Sequence, residues 1–212
     1  MCSSDLYESQ EIPGRDGDLL INTQRRANVK HSYNAIMTND LIRRFDNFRN
    51  ALLSIDGYAR LEDSIHPDEF YLAYFSDDVE PTIRRERDTV KFAINFIRKP
   101  QRFLKAGESP QEFTADSQIV NPTLYASKPL LRVYGVGTVS IDAYEFEITE
   151  ADGYTDIDCD MMECYKDSYA NNCNGNVTFT NYEFPRLDSG VNAIALGTGI
   201  TKIAITPRWY II

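Results

Sequence analysis

The sequence lacks any apolar run approaching the ~18 residues that a membrane-spanning helix needs. Its first residues, Met1–Leu6, also lack the basic start and apolar core of a secretory signal. Basic side chains are scarce, since 22 Lys and Arg stand against 32 Asp and Glu, giving a net charge of −10. That balance argues against a nucleic-acid binder that works by neutralising phosphates. We therefore expect neither a membrane protein nor a sequence-specific nucleic-acid binder.

Cysteine is also sparse, at four residues in the chain: Cys2, Cys159, Cys164 and Cys173. The segment Met1–Leu6 looks foreign to the rest of the chain, and without it three cysteines remain, an awkward number for a disulfide framework. Structural zinc takes four N or S ligands, and no histidine lies near the three. We predict small buried or half-buried thiols.

Catalytic motifs are missing as well. The two histidines, His31 and His66, fall in no zinc-protease or nucleophile motif and are predicted to be structural or surface residues. The Gly135-Val136-Gly137 segment lacks the third glycine and the following helix of a dinucleotide fingerprint, so it is predicted to be a turn. We assign no catalytic, cofactor-binding or metal residue and no cofactor, and we expect a protein that is not an enzyme.

Acidic residues are most concentrated in the stretch 142–167, where Asp156, Asp158 and Asp160 alternate. An EF-hand loop would need Gly at its sixth position and Glu at its twelfth, where this chain has Met161 and Asp167. With so many carboxylates in this stretch, a pair with the spacing of glycosidase catalytic residues can be chosen at many places. Such a pair therefore does not indicate a glycosidase. We predict that the three aspartates form the solvated face of a strand rather than a calcium site.

One helix is predicted over 40–53, because Leu41, Phe45, Phe48 and Leu52 recur with helical spacing. A second, short helical turn that starts at Pro67 is an alternative for the segment that follows. The alternation of Phe92, Ile94 and Phe96 predicts a strand that ends at Lys99-Pro100. Turn residues from Ile12 to Asp18 precede a strand that begins at Leu19.

Beyond residue 104 the pattern changes. Residues 105–122 contain Gly107, Pro110 and Pro122 among polar residues, which is typical of a linker. Short strands separated by turn residues then indicate an antiparallel sandwich. The predicted strands are Leu130–Tyr134, Thr138–Ile141, Tyr144–Thr149, Thr155–Glu163, Asn176–Asn181, Asn192–Leu196 and Lys202–Ile205. Residues 105–212 carry 7 basic and 15 acidic side chains, whereas the preceding part is near neutral. We therefore predict domains at 1–104 and 123–212, joined by a linker at 105–122.

Six segments in this order resemble the distal tail protein family of siphovirus-type, long-tailed phages. They are EIPGRDGDLL, YARLEDSIHPDEFYLAYF, FAINFIRKPQRFL, IVNPTLYASKPLLRVYGVG, FPRLDSGVNAIAL and ITPRWYII. Each segment alone is weakly diagnostic, and their common order and spacing carry the resemblance from about Tyr7 to Ile212.

The resemblance implies a mainly β protein with one helix (all-β or α+β). Residues 1–104 would form a ring, or belt, domain, and residues 123–212 a galectin-like antiparallel β-sandwich. It implies a homo-hexameric ring at the virion tail tip, or baseplate, assembled in the bacterial cytoplasm. The implied partners are the tail tube protein, the tail-associated tip protein and the receptor-binding proteins. Family members carry further strands before the PGRDG turn, so we expect this chain to start inside its ring domain and to assemble poorly without them.

The alternative is a carbohydrate-binding module, in which the sandwich itself attaches to a host cell-wall saccharide. Such a module needs aromatic side chains on one exposed sheet face, and Tyr144, Phe146, Phe179 and Tyr182 are open candidates. Trp209, the only tryptophan, is predicted to be a buried anchor of the last strand. The basic cluster 84–87 and Arg98-Lys99 are predicted to be a solvated strand edge, with inter-subunit ion pairs in the ring as the alternative.

Overall fold

The fold is given by a computed structural model that describes residues 7–23, 25–38, 41–75, 82–84 and 89–212. The chain divides into two compact units, which meet in the sequence between Arg102 and Phe103. This division lies two residues from the end of the first predicted domain. The architecture is mainly β with a single α-helix in the described ranges, and it confirms the predicted fold class.

The first unit consists of short antiparallel strands and helix α1. Its elements are β1 (Tyr7–Gln10), β2 (Leu19–Asn22), β3 (Val29–Thr38), α1 (Leu41–Leu53), β4 (Ala59–Leu61), β5 (Glu69–Phe75), β6 (Thr82–Arg84) and β7 (Thr89–Leu104). Strand β7 pairs with β3, β5 and β6, and β5 pairs with β4. Strands β1 and β2 form a separate two-stranded hairpin.

Helix α1 packs its apolar stripe on the sheet, as the helical spacing predicts. Phe45 is buried against Phe92 of β7 with ring centroids 5.3 Å apart, and Phe48 lies 5.5 Å from the same ring. Leu52 extends this contact, whereas the side chain of Leu41 lies outside the described residues. The prediction of a helix that covers a sheet of the first unit is confirmed.

Two predictions in this unit are wrong. The segment after Pro67 forms strand β5, because aromatic side chains fit a pleated surface and Tyr71 and Ala73 alternate into the interior. Strand β7 does not end at Lys99-Pro100 but continues to Leu104. Pro100 lies beyond Arg98, the last residue paired with β3, so its missing N–H removes no hydrogen bond to that strand.

The second unit is a sandwich of two antiparallel sheets. Its strands are β8 (Gln111–Phe113), β9 (Ser117–Asn121), β10 (Leu130–Gly135), β11 (Gly137–Ile141), β12 (Tyr144–Ile148), β13 (Tyr154–Asp158), β14 (Glu163–Lys166), β15 (Ser168–Asn172), β16 (Val177–Phe179), β17 (Gly190–Leu196) and β18 (Ile200–Thr206). Strand β19 (Tyr210–Ile211) follows β18 in the sequence and belongs to neither sheet of the sandwich. One sheet has the order β15-β14-β13-β10-β18-β8 and the other β16-β12-β11-β17-β9. Both sheets contribute to one buried core, which includes Leu131, Phe146 and Ile203.

Most of the strands predicted for this unit are present with similar bounds. The predicted strand Thr155–Glu163 is instead β13 and β14, which are joined by a turn at 159–162. Met162 in that turn has φ of 56°, a left-handed conformation that ends a strand.

The predicted linker at 105–122 is wrong. Strand β8 pairs with β18 and strand β9 pairs with β17, so each lies at the edge of one sheet of the sandwich. Ile119 of β9 belongs to the core, and Gly107 is buried against Trp209. Edge strands expose one face and one backbone edge to water, so their polar composition resembles that of a loop. The second unit therefore begins at Phe103.

Candidate functional site

The two aspartates of strand β13 are buried, which contradicts the predicted solvated strand face. Asp156 is 2 % exposed and Asp158 is 1 % exposed, whereas Asp160 is exposed in the turn after the strand. A buried carboxylate needs a cation and hydrogen-bond donors to offset the loss of water. Arg132 and Arg208, which are distant in the sequence, supply the cations.

Asp156 and Arg132 face each other across neighbouring strands. The antiparallel register of β10 and β13 places them directly opposite. Arg132 Nε lies 2.7 Å from Asp156 Oδ1, and Nη2 lies 2.9 Å from Oδ2, which is the two-point geometry that a guanidinium makes with a carboxylate. The same guanidinium lies 4.4 Å from the ring centroid of Tyr154. The backbone N–H of Asp167 gives Asp156 a further hydrogen bond.

Asp158 accepts hydrogen bonds from distant parts of the second unit's sequence. Arg208 Nη1 and Nη2 donate to its two carboxylate oxygens at 2.7 and 2.9 Å, and Tyr169 Oη donates at 3.0 Å. The N–H groups of Asp160 and Met161 also donate to Oδ1. Burial alone would raise the pKa of Asp158, but Arg208 and these donors outweigh it and lower the pKa overall. Burial and the bond to Asp158 raise the pKa of Tyr169.

Four tyrosines lie with these ion pairs on the side of the six-stranded sheet that faces away from the core. We name this surface the tyrosine face, defined by Tyr134, Tyr154, Tyr165 and Tyr169. The Tyr134 and Tyr154 rings lie 5.5 Å apart, and those of Tyr165 and Tyr169 lie 4.4 Å apart. Lys202 Nζ lies 4.4 Å from the Tyr134 ring centroid and 2.9 Å from Glu112 Oε1. Cations thus already cover ring faces of Tyr134 and Tyr154.

Sequence reasoning missed the tyrosine face. Its signal is the alternation in Leu131-Arg132-Val133-Tyr134, which sends Leu131 and Val133 into the core and the other two residues to the opposite face. The pattern does not reveal which strands lie beside β10, so the ion pairs cannot be read from it.

The aromatic residues proposed for a binding face do not share one surface. Phe146 is fully buried, and Phe179 packs against the core. Tyr144 accepts a hydrogen bond from Arg186, and Tyr182 is 96 % exposed in a turn. Trp209 is buried at 2 % exposure, as predicted for an anchor of the last strand.

Each of the two histidines contacts a tyrosine of the first unit. His31 packs edge-on against Tyr33 at 4.6 Å, and burial together with Arg98 lowers its pKa. His66 Nδ1 lies 3.4 Å from Tyr71 Oη. Within the described ranges, no group of three or more His, Cys, Asp or Glu side chains is arranged to hold a metal ion.

The predicted basic strand edge is described only in part. Arg98 lies over the ring of Tyr71 at 4.2 Å, so it is packed rather than freely solvated. Arg85, Glu86 and Arg87, with the side chain of Arg84, fall outside the described residues.

No helix in the described part of the chain has the length and apolarity of a membrane span.

The three cysteines among the described residues are free thiols, as predicted: Cys159 and Cys164 are buried, and Cys173 is half-buried. Burial raises the pKa of Cys159, and it raises the pKa of Cys164 to about 12. These two thiols are therefore protonated at neutral pH.

The β1–β2 hairpin is exposed along its whole length, although it is rich in apolar side chains. Leu20 is 62 % exposed, and Leu19, Ile21 and Tyr7 are exposed as well. Because Leu19 and Ile21 alternate with Leu20, strand β2 carries apolar side chains on both of its faces. A two-stranded hairpin alone is marginally stable in water, so this one is suited to a surface that covers it.

The two units together have a mainly β fold that is shared with a solved phage protein. The chain is similar to the crystal structure of SPP1 Dit (gp 19.1), described as a paradigm of the hub adsorption apparatus in phages that infect Gram-positive bacteria. The TM-score is 0.66 at 14 % sequence identity, over 97 % of this chain and 88 % of that one. No protein-family profile and no characterised protein sequence matches the chain. The resemblance seen in the six segments is confirmed at the level of the fold.

Proposed function

We propose that the protein is a distal tail hub, a structural component at the tail tip of a long-tailed phage. The observation that carries this proposal is the fold correspondence with SPP1 Dit, which spans 97 % of the chain and therefore both units. Six sequence segments in family order support it independently of the fold. A hub works by holding neighbours in place, so the proposal requires no cofactor and no reaction.

The hub is proposed to be a homo-hexameric ring formed by the first unit. A closed ring needs contacts in which one surface of each copy meets a different surface of the next. The β1–β2 hairpin is suited to that contact, because burying Leu20 and Ile21 against a neighbour removes apolar surface from water. The first part of the chain is also near neutral, so its copies approach without strong like-charge repulsion.

The proposed partners are those of a protein at this position in the tail. One face of the ring would bind the tail tube protein, and the other the tail-associated tip protein with the receptor-binding proteins. The second unit would project outward as the galectin-like sandwich, because its net charge of about −8 disfavours packing its copies together. Assembly would take place in the host cytoplasm before release of the virion.

Negative-stain electron microscopy of the protein expressed from its complete reading frame tests the ring. Six-fold class averages are expected for the wild type. Replacing Leu20 and Ile21 by Ser should abolish the rings while the circular dichroism spectrum is unchanged. The matched control is Tyr182→Ser, which removes a large side chain of the second unit that is even more exposed than Leu20 and Ile21. Rings that survive the hairpin substitutions would contradict the assigned contact, and an absence of rings from the wild type would contradict the hub.

Direct binding of cell-wall saccharide by the sandwich is the second candidate function. Tyrosines gathered on one sheet face favour it, since sugar rings stack on aromatic side chains. Arg132 and Lys202 cover ring faces of Tyr154 and Tyr134, which leaves Tyr169, at 49 % exposure, as the accessible ring. Sedimentation of the protein with purified host cell walls tests this candidate. Binding that Tyr169→Ala weakens would support it, and no binding at tens of micromolar protein would exclude it.

A further inference from the structure

Cys164 and Cys173 occupy directly opposite positions at the end of the β14–β15 hairpin. The antiparallel register pairs Tyr165 with Asn172, so the next pair outward is Cys164 with Cys173. The N–H of Cys173 donates to the carbonyl oxygen of Cys164 at 2.8 Å. Opposite residues in such a pair point to the same face, with Cβ atoms about 4.5–5.5 Å apart.

Both cysteine side chains turn toward the same core. Cys164 is fully buried, and Cys173 packs against the core cluster while remaining half-buried. Disulfides join residues whose Cα atoms are about 4.4–6.8 Å apart, a range that includes opposite residues of an antiparallel pair. Closing the bond needs the Cβ atoms to approach to about 3.5–4.5 Å, which is a small shift of the backbone at this end of the hairpin.

The third thiol is less well placed. On its β13 side Cys164 lies opposite Ile157, so Cys159 is displaced from it by two residues along the strand. Diagonal neighbours at that offset are about 7–8 Å apart. The backbone therefore aligns Cys164 with Cys173 and with no other cysteine of the described residues.

We propose that Cys173 is a site of thiol oxidation and that Cys164 resolves it into an intramolecular disulfide closing the β14–β15 hairpin. Cys173, the more accessible thiol of the two, reacts first with a low-molecular-weight disulfide such as oxidised glutathione. Its thiolate attacks one sulfur of the reagent, and a mixed disulfide forms as one thiolate of glutathione leaves.

The thiolate of Cys164 then attacks the Cys173 sulfur and releases the second glutathione thiolate. Two protein thiols lose two protons and two electrons, and one molecule of oxidised glutathione becomes two reduced ones. Burial disfavours the thiolate of Cys164, so this second attack is the slower step and accelerates as pH rises.

The disulfide would hold part of the tyrosine face in place. Tyr165 and Tyr169, which lie between the two cysteines in the sequence, contact each other through tilted rings, and Tyr169 donates a hydrogen bond to Asp158. Cross-linking this short loop restricts the unfolded chain and slows local opening of the edge strand. The reaction involves one copy of the chain, so it is independent of the proposed ring.

Peptide mapping of the oxidised protein tests the proposal. The protein is used as a Cys2→Ser variant, so that three thiols remain, and is incubated with oxidised glutathione. Trypsin cuts after Lys166, so Cys164 and Cys173 fall on separate peptides that only a disulfide joins. We expect a product lacking two hydrogen atoms, with fragmentation that assigns the link to Cys164 and Cys173. Its unfolding midpoint should rise by about 5 °C over the reduced form.

Two further variants serve as controls. Cys159→Ala should still form the link, whereas Cys173→Ser should lose it and lose the rise in the unfolding midpoint. A stable glutathione adduct on Cys173, a link to Cys159, or three unreacted thiols would overturn the proposal. The peptide map of the oxidised Cys2→Ser protein distinguishes these outcomes even if the Cys159→Ala or Cys173→Ser variant fails to fold.

Discussion

Arg208 reaches Asp158 with two hydrogen bonds, at 2.7 and 2.9 Å, and so ties the segment after β18 to the end of β13. Fifty residues separate the two in the sequence. Asp158 also accepts from Tyr169 of β15, so one buried carboxylate fixes three parts of the sandwich. This arrangement explains why an acidic residue is tolerated at 1 % exposure.

Removing the cation of this pair should be costly. Arg208→Met leaves the buried Asp158 carboxylate without its main partner, and we expect a loss of about 3–5 kcal/mol in the free energy of unfolding. Lys128→Met is the matched control, because the Lys128–Asp160 pair is half exposed and should contribute under about 1 kcal/mol. Urea denaturation of both variants measures the difference. Equal losses would show that burial does not strengthen the Arg208 pair.

The same carboxylate should make stability sensitive to acid. The pKa of Asp158 is lower in the folded state than in the unfolded state, so its contribution is complete above the ordinary Asp pKa of about 4. That contribution is lost as the pH falls through the folded-state pKa. We expect Asp158→Asn to be less stable than the wild type at pH 7 but to lose less on acidification. Urea denaturation of both proteins at pH 7 and at a pH below the ordinary Asp pKa measures these losses. Equal losses of stability for the wild type and Asp158→Asn would refute the assignment.

Gly107 should tolerate no side chain. A Cβ at this position would lie 2.4 Å from the backbone nitrogen of Trp209, so Gly107→Ala must displace the buried segment around Trp209. We expect a loss of about 1–3 kcal/mol, the usual cost of overpacking a core. Gly175→Ala is the control, because a Cβ there has open space around it. A neutral Gly107→Ala would mean that the start of the second unit is as loosely held as a linker.

The contact between α1 and β7 should dominate the stability of the first unit. Phe45→Ala removes the ring that packs against Phe92, and we expect a cost of about 3–5 kcal/mol. Asn47→Ala, on the exposed side of the helix, should change stability by less than about 0.5 kcal/mol. Thermal unfolding followed by circular dichroism compares the two. A Phe45→Ala variant as stable as Asn47→Ala would contradict the packing described for this helix.

Local pattern predicts the elements whose residues repeat with a clear period. Helix α1 and strands such as β10 and β17 can be read from the spacing of apolar residues alone. The same spacing places Asp156 and Asp158 in solvent, because their arginine partners come from other segments and strand order is not encoded locally. Strands β8 and β9 read as a linker because edge strands share the polar composition of loops.

Assembly is the property that tests the proposed hub most directly. The mass of the protein expressed from its complete reading frame can be measured by light scattering across micromolar concentrations. We predict a hexamer for the wild type and a monomer for the variant with Ser at positions 20 and 21. A wild-type protein that stays monomeric throughout this range would contradict the proposed ring and, with it, the assignment of the protein as a tail hub.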